Sequence, residues 1–401
     1  MGSASDTIEC DAGGFYLHSE FSGELPTYQQ IVYLHEEEKW FHMLKNWPAY
    51  STEPSLRTKT SRRIWRGIPP SLRGEVWYTL SGGAQHHRDH PTLYRDILAK
   101  VPQAECNAHI ASVGRDARRT FPEHLCFRDQ AGLQALSDVL IAVALYCPSV
   151  GYVQGMNFIV AALLLHAPPE RVFHIVVCMV QSMMDGYFEE GLPQFMADSE
   201  CMGRCLKTCP LTASLSEHLG RLGVFPLMYT PKFFMSVFLL VLPFPTAMRV
   251  FDVLFWEGME VLFPVGLALV FLGKDHLLKQ QQAERAVGVL IRPSGDMATA
   301  DTLMNTACGP IRGALPAEAV HTLRLQCRAA LDCPRKPLAP VPMTRPPGDT
   351  ELQSPGPVAG PSAEPESPSR EPAQPTQEEP GITGERVRTE RGDPPPPPDR
   401  T

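Results

Sequence analysis

Between about residues 60 and 330, the apolar side chains of this 401-residue chain return at helical spacing. The strict alternation and hairpin turn pairs of a sheet protein are largely missing there, so the pattern predicts an all-α domain. Leu133, Leu136, Leu140 and Val143 step by 3, 4 and 3, the stripe of an amphipathic helix that Pro148 stops. Asn157 to His166 is apolar almost all round, which predicts a helix buried between others. Val172 to Met184, Phe233 to Leu242 and Thr246 to Trp256 extend the series. The longest apolar runs, Phe158 to Leu165 and Phe233 to Leu242, are shorter than the roughly 18 to 20 residues of a membrane span, so both read as buried helices.

Three regions follow. Residues 1–60 form an N-terminal lead with an aromatic piece, Gly14-Phe15-Tyr16, and a helix over Tyr28 to Leu44, in which Ile31, Leu34, Trp40 and Leu44 recur at roughly helical spacing. Residues 61–333 form the helical domain, with Pro69 and Pro70 suited to a helix entry. Residues 334–401 hold about half of the 40 prolines and no aromatics, a composition that favours disorder. Pro337-Leu-Ala-Pro340 and the run Pro394 to Pro398 either adopt polyproline II for SH3 or WW domains or belong to a plain solvated tail.

Composition narrows the function classes. A net charge of -8 argues against a nucleic-acid partner, which needs a basic footprint. No signal peptide is evident, and Asp6 stands where a myristoylation signal wants Ser or Thr. The 11 cysteines are odd in number and scattered, which suits a reducing compartment. Cys201, Cys205 and Cys209 share a helix face, but without paired histidines nearby they read as core rather than a metal site. His86, His87 and His90, with Arg88 and Asp89, read as a solvated loop rather than zinc ligands.

Two short segments carry chemistry. In Val113-Gly-Arg-Asp116-Ala-Arg118-Arg119-Thr120-Phe121-Pro122, the Asp116 carboxylate can hold the Arg119 guanidinium three residues on. Thr120-Phe-Pro122 then ends the element and leaves Arg119 at a junction, free to reach a partner's phosphates. Arg118 competes for that role, with a less apt spacing from Asp116. In Gly151-Tyr152-Val-Gln154-Gly155-Met-Asn157, the Gln154 amide can orient a water, and Gly155 permits close approach of a partner. An arginine and a glutamine are the side-chain types that complete an unfinished GTP-hydrolysing site.

The chain resembles the TBC domain family of Rab GTPase-activating proteins. Val113-x-x-Asp116-x-x-Arg119 is similar to the family's arginine-finger motif, with Val where Ile is usual, and Tyr152-Val-Gln154-Gly155 to its glutamine-finger motif. Phe251-Asp252-Val-Leu-Phe-Trp-Glu-Gly258 is similar to a third signature, with Phe where Trp is usual. Gly67-Ile-Pro69 to Arg73-Gly-x-x-Trp77 is similar to the domain start, and Phe233 stands where the family often has Trp. The core motifs span 67–258, and the lead and domain start look most like the RN-tre and Tre oncoprotein branch.

The resemblance implies a two-lobed, V-shaped helical domain whose groove receives a Rab's switch regions. It implies catalytic roles for Arg119 and Gln154, with Asp116, Tyr152, Gly155 and Asp252 in support. Such a domain needs no cofactor of its own, since the partner GTPase holds GTP and Mg²⁺. It would serve vesicle trafficking from the cytoplasm, brought to endosomal, Golgi or plasma membranes by its Rab or other partners. The alternative is a non-catalytic Rab-binding adaptor that recruits SH3 or WW proteins through the tail.

Overall fold

The computed structural model describes residues 37–101 and 108–332. The Gly14-Phe15-Tyr16 piece, the first part of the Tyr28 to Leu44 helix and the proline-rich region from 334 lie outside the described residues. Among the described residues every regular element is helical, as the periodicity predicts. Residues 37–45 are helical and bury Trp40 and Met43 completely.

Helix α1 (Pro54–Arg66) leads through Pro69 and a 3₁₀ turn at Pro70–Leu72 into α2 (Arg73–Leu80). Proline at the head of that turn loses no internal hydrogen bond. Helix α3 (Gly83–Asp89) follows, then α4 (Ala108–Ala117) and α5 (Gln130–Tyr146), which ends one residue before Cys147-Pro148. Helix α6 (Met156–Leu164) buries every residue from Met156 to Leu163. Helix α7 (Pro169–Cys178) packs on α3 and α5. Helices α8 (Pro193–Thr208), α9 (Phe244–Glu257), α10 (Leu262–Leu272) and α11 (Ala317–Asp332) complete the framework. A helix that is apolar all round must be enclosed, and α10 is buried from Leu262 to Val270.

Two expected helices are interrupted. The run from Phe233 to Leu242 is a π-type turn at Pro231–Met235, then turns in which Val237 and Phe238 take φ of +49° and +61°. Buried Ser236 donates to the Lys232 carbonyl at 2.7 Å, and the Phe238 N–H reaches the Phe233 carbonyl at 2.8 Å. Hydrogen bonding of that kind competes with a regular helix, which the apolar count alone does not register. Val172 to Met184 likewise leaves α geometry after Cys178 for a π-type turn at Met179–Met183.

His86 and His87 lie on α3 rather than in a solvated loop. The His86 and His174 Nδ1 atoms are 2.7 Å apart, and the His87 ring stacks on that of His174 at 4.2 Å. Burial, then the neighbouring imidazoles, push His174 down to about 3, so it stays neutral. Helix α7 offers the rings of His86 and His87 a face to pack on. Cys201, Cys205 and Cys209 are buried.

Two buried carboxylates join distant parts of the chain. Asp252, on α9, is fully buried. It accepts a fork from Arg73 (Nε to Oδ1, 3.1 Å; Nη2 to Oδ2, 3.2 Å), the Trp77 indole N–H at 3.1 Å and the Ile68 backbone N–H at 2.9 Å. Trp77 packs between Phe255, Phe251 and His166. Gly74 lets α2 reach the His166 carbonyl, where a Cβ would lie 2.0 Å from the oxygen. Asp198, on α8, accepts a second fork from Arg324 of α11 at 2.7 and 2.8 Å, together with Tyr187 and Gln194.

Asp252→Ala strands the Arg73 guanidinium in the interior. Removing one partner of a buried pair costs about 3–5 kcal/mol. The expected result is an unfolding free energy, from urea titration, lowered by that amount; an unchanged value would show the fork to be dispensable.

Candidate functional site

Helix α4 buries Val113 and Ala117 and so fixes the rotation that leaves Asp116 at its edge. The helix ends at Ala117, and Arg119 sits in the turn beyond. Its side chain is 49% exposed, and its Nε donates to Asp116 Oδ1 at 2.8 Å. Arg118 is exposed, and among the described residues it is Arg119 that pairs with Asp116.

Gln154 lies in the turn that leads into α6, with an exposed side chain. Gly155 follows at φ +113°, where a Cβ would be strained and would meet the Met235 carbonyl at 3.1 Å. Tyr152 is buried, and its hydroxyl donates to Asp116 Oδ2 at 2.5 Å. One carboxylate therefore takes the arginine segment on one oxygen and the glutamine segment on the other.

A second link lies beneath. Buried Thr120 donates its hydroxyl to the Asp116 carbonyl at 2.6 Å and accepts from Asn157 Nδ2 at 2.7 Å. Asn157 Oδ1 accepts the Gly155 N–H at 3.0 Å. With a hydroxyl on one side and an N–H on the other, only one orientation of the amide satisfies both.

Thr120 and Asn157 are positioning residues that the motif reading did not single out. The available signal was Asn157 as a polar residue in an otherwise apolar run, since a buried amide must find partners. The hydrogen bonds of Asp252 go to the domain start, so any support it gives these segments passes through the fold.

Burial pushes the Asp116 carboxyl up, but hydrogen bonds from Arg119 and Tyr152 and the nearby guanidinium outweigh this and hold it below the usual aspartate value. Burial, then the Asp116 carboxylate, push the Tyr152 phenol well up, so it stays protonated and keeps donating. Beside Arg119 opens a cleft of about 600 Å³, with Phe121, Phe158, Leu240, Pro243 and Pro293 among its walls. Phe121 holds φ of +44°, and Leu240 is 41% exposed. Among the described residues no group of His, Cys, Asp or Glu is placed to hold a metal ion, and no helix is long and apolar enough to cross a membrane.

Comparison with known proteins defines the class to which this all-α domain belongs. The profile of the Rab-GTPase-TBC domain matches residues 70–278, and the chain belongs to that family. It is 33% identical over 279 residues to mouse TBC1 domain family member 10A, spanning 68% of this chain and 54% of that protein. It is 33% identical over 255 residues to mouse Carabin, spanning 63% of this chain and 56% of Carabin. The chain thus spans about half the length of these curated relatives. The crystal structure of the Chlamydomonas flagellar RabGAP TBC domain superposes with a TM-score of 0.62 at 26% identity, over 74% of this chain and 97% of that one. The Ypt/Rab-GAP domain of Gyp1p has the same fold, with a TM-score of 0.54 at 16% identity, over 67% of this chain and 93% of that one.

Two outcomes are expected. A carboxyl group whose folded pKa is depressed contributes stability above its unfolded value of about 3.9 and loses it as pH falls through the folded pKa. Carbon-detected NMR should place the Asp116 midpoint below that value, and Tyr152→Phe should raise it; a midpoint unmoved by the substitution would remove Tyr152 from the network. Asn157→Leu suits an apolar helix but strands the Gly155 N–H, so denaturant unfolding should show a loss of about 1–3 kcal/mol.

Proposed function

We propose that this chain is a GTPase-activating protein for a Rab-type small GTPase, with Arg119 and Gln154 supplied in trans. The observation that carries the reading is an exposed guanidinium and an exposed amide on two segments that share the Asp116 carboxylate and the Thr120–Asn157 bond. Membership of the Rab-GTPase-TBC domain family supports it.

The chemistry follows from the residues. A transferring γ-phosphoryl group is stabilised by positioning and by countercharge. Asp116 engages Arg119 through Nε, so both terminal nitrogens of the fork stay available to β- and γ-phosphate oxygens. The Gln154 amide has a donor and an acceptor with which to align the attacking water. Nucleotide and Mg²⁺ belong to the GTPase. The apolar cleft beside Arg119 would seat its switch segment and exclude water from the phosphates. Membrane location would follow that of the GTPase.

GTP hydrolysis across a panel of GTP-loaded Rabs tests the reading. Wild type should accelerate one or a few of them, and Arg119→Ala should lower kcat by about 10³–10⁵. Arg119→Lys should not restore it, because a point charge lacks the planar fork. Gln154→Ala should lower kcat with binding retained. Binding of a GTP-loaded Rab with no acceleration by wild type would overturn catalysis and leave the adaptor role.

A further inference from the structure

A second cleft, of about 420 Å³, lies between the end of α1, the Gly67–Pro70 connection and the start of α9. Four arginines line it: Arg63, Arg66, Arg73 and Arg249. Its size is that of a small-ligand site.

The charges there are unevenly matched. Arg73 is committed to buried Asp252. Arg249 reaches Asp301 at 3.1 Å through Nη1, but Asp301 is 84% exposed, so the pair is screened by solvent. Arg249 Nη2 holds the Trp65 carbonyl at 2.8 Å, while its Nε is buried with no hydrogen-bond partner. Arg63 Nη1 donates to the Lys39 carbonyl at 3.4 Å. Neither Arg63 nor Arg66 has a carboxylate partner among the described residues. Among the described residues, two guanidinium groups thus line the cleft without a carboxylate partner, while the unpaired Nε of Arg249 is buried.

Composition does not account for this. The whole chain carries a net charge of -8, yet α1 holds Arg57, Lys59, Arg62, Arg63 and Arg66 and no carboxylate. Of these only Arg63 and Arg66 line the cleft. Pro69, Pro70 and Pro245 also line the cleft and have no backbone N–H to donate, which leaves much of its polar recognition to the guanidinium groups. Arginine forks match the oxygens of phosphates in pairs, as they do those of carboxylates, and several of them around one small cleft suit a compact ligand that carries more than one negative charge.

We propose that this cleft binds a compact, multiply phosphorylated group of the inositol phosphate type, either free or as a lipid headgroup. The site is independent of the Arg119–Gln154 pair, and its occupancy does not require that the chain activate any GTPase. Bound to a headgroup, it would hold a chain whose described helices do not span a bilayer at a membrane surface.

Full-length chain is titrated with soluble inositol 1,4,5-trisphosphate by calorimetry. It is also co-sedimented with phosphatidylcholine vesicles carrying phosphatidylinositol 4,5-bisphosphate or enough phosphatidylserine to match their charge. The cleft variant is Arg63→Ala with Arg66→Ala. The control is Lys59→Ala with Arg62→Ala on the same helix outside the cleft, and Arg66→Glu alone provides a variant at an exposed position. Binding should weaken about tenfold or more in the cleft variants and stay near wild type in the control. Binding of both the trisphosphate and the bisphosphate vesicles, in preference to phosphatidylserine, assigns the site to a headgroup. Binding of the soluble probe alone assigns it to a free phosphate ligand. Absence of binding to either, equal binding to charge-matched phosphatidylserine vesicles, or equal weakening in the control overturns the proposal.

Discussion

The Asp252 carboxylate is the constraint on which the domain depends. It is fully buried on α9, and each oxygen accepts one bond from Arg73 and one from another donor. All three partner residues come from a stretch some 180 positions earlier in the chain, so the ends of the core motifs meet at one charge. Burial pushes the Asp252 carboxyl up, against the opposing pull of Arg73. A buried ion pair is weak evidence for stability, because desolvation offsets much of the attraction. Its value here is geometric: a fork with fixed hydrogen-bond directions admits one register of α2 against α9. The Gly74 approach to the His166 carbonyl and the stacking of Trp77 on Phe255 depend on that register.

The candidate site applies the same logic at the surface. Arg119 and Gln154 are exposed, mobile side-chain types, and an exposed guanidinium has many rotamers to lose. Their backbones are held from below by bonds that do not use the atoms needed for chemistry. Asp116 takes one of the five N–H donors of Arg119. Thr120 and Asn157 tie the two turns together without touching either reactive group. For the proposed role in phosphate chemistry, much of the ordering cost of the two segments' backbones would thereby be met in the folded state, before any partner arrives.

What the sequence made legible was whatever has a period or a fixed spacing. The buried helices at Gln130–Tyr146 and Met156–Leu164 were visible because apolar periodicity reports burial directly. The Asp116–Arg119 pair was visible because a helical separation of three brings side chains together. The bond from Tyr152 to Asp116 was not, since it joins residues whose separation obeys no period. The break within Phe233–Leu242 was hidden because Val, Phe and Leu count alike toward a buried helix and a buried turn. The histidines of α3 were misplaced because a polar label was given to rings that pack against His174.

That break also bears on how a partner is received. Non-glycine residues with positive φ cost of order 1–3 kcal/mol each and persist only where the surroundings impose them. Phe121, Val237 and Phe238 all take such angles. Phe121 lines the cleft beside Arg119, and the Val237–Phe238 turn leads into Leu239–Leu242 of its wall. Had Phe233–Leu242 continued as a helix, its apolar face would have turned inward, as it does in α6. The strained turns instead leave Leu240 exposed beside the arginine, where an apolar contact and a phosphate contact can be made by one segment of a partner. Under the proposed function, affinity and chemistry would be coupled in one place: a segment that fails to fill the cleft would also fail to bring phosphates to the guanidinium.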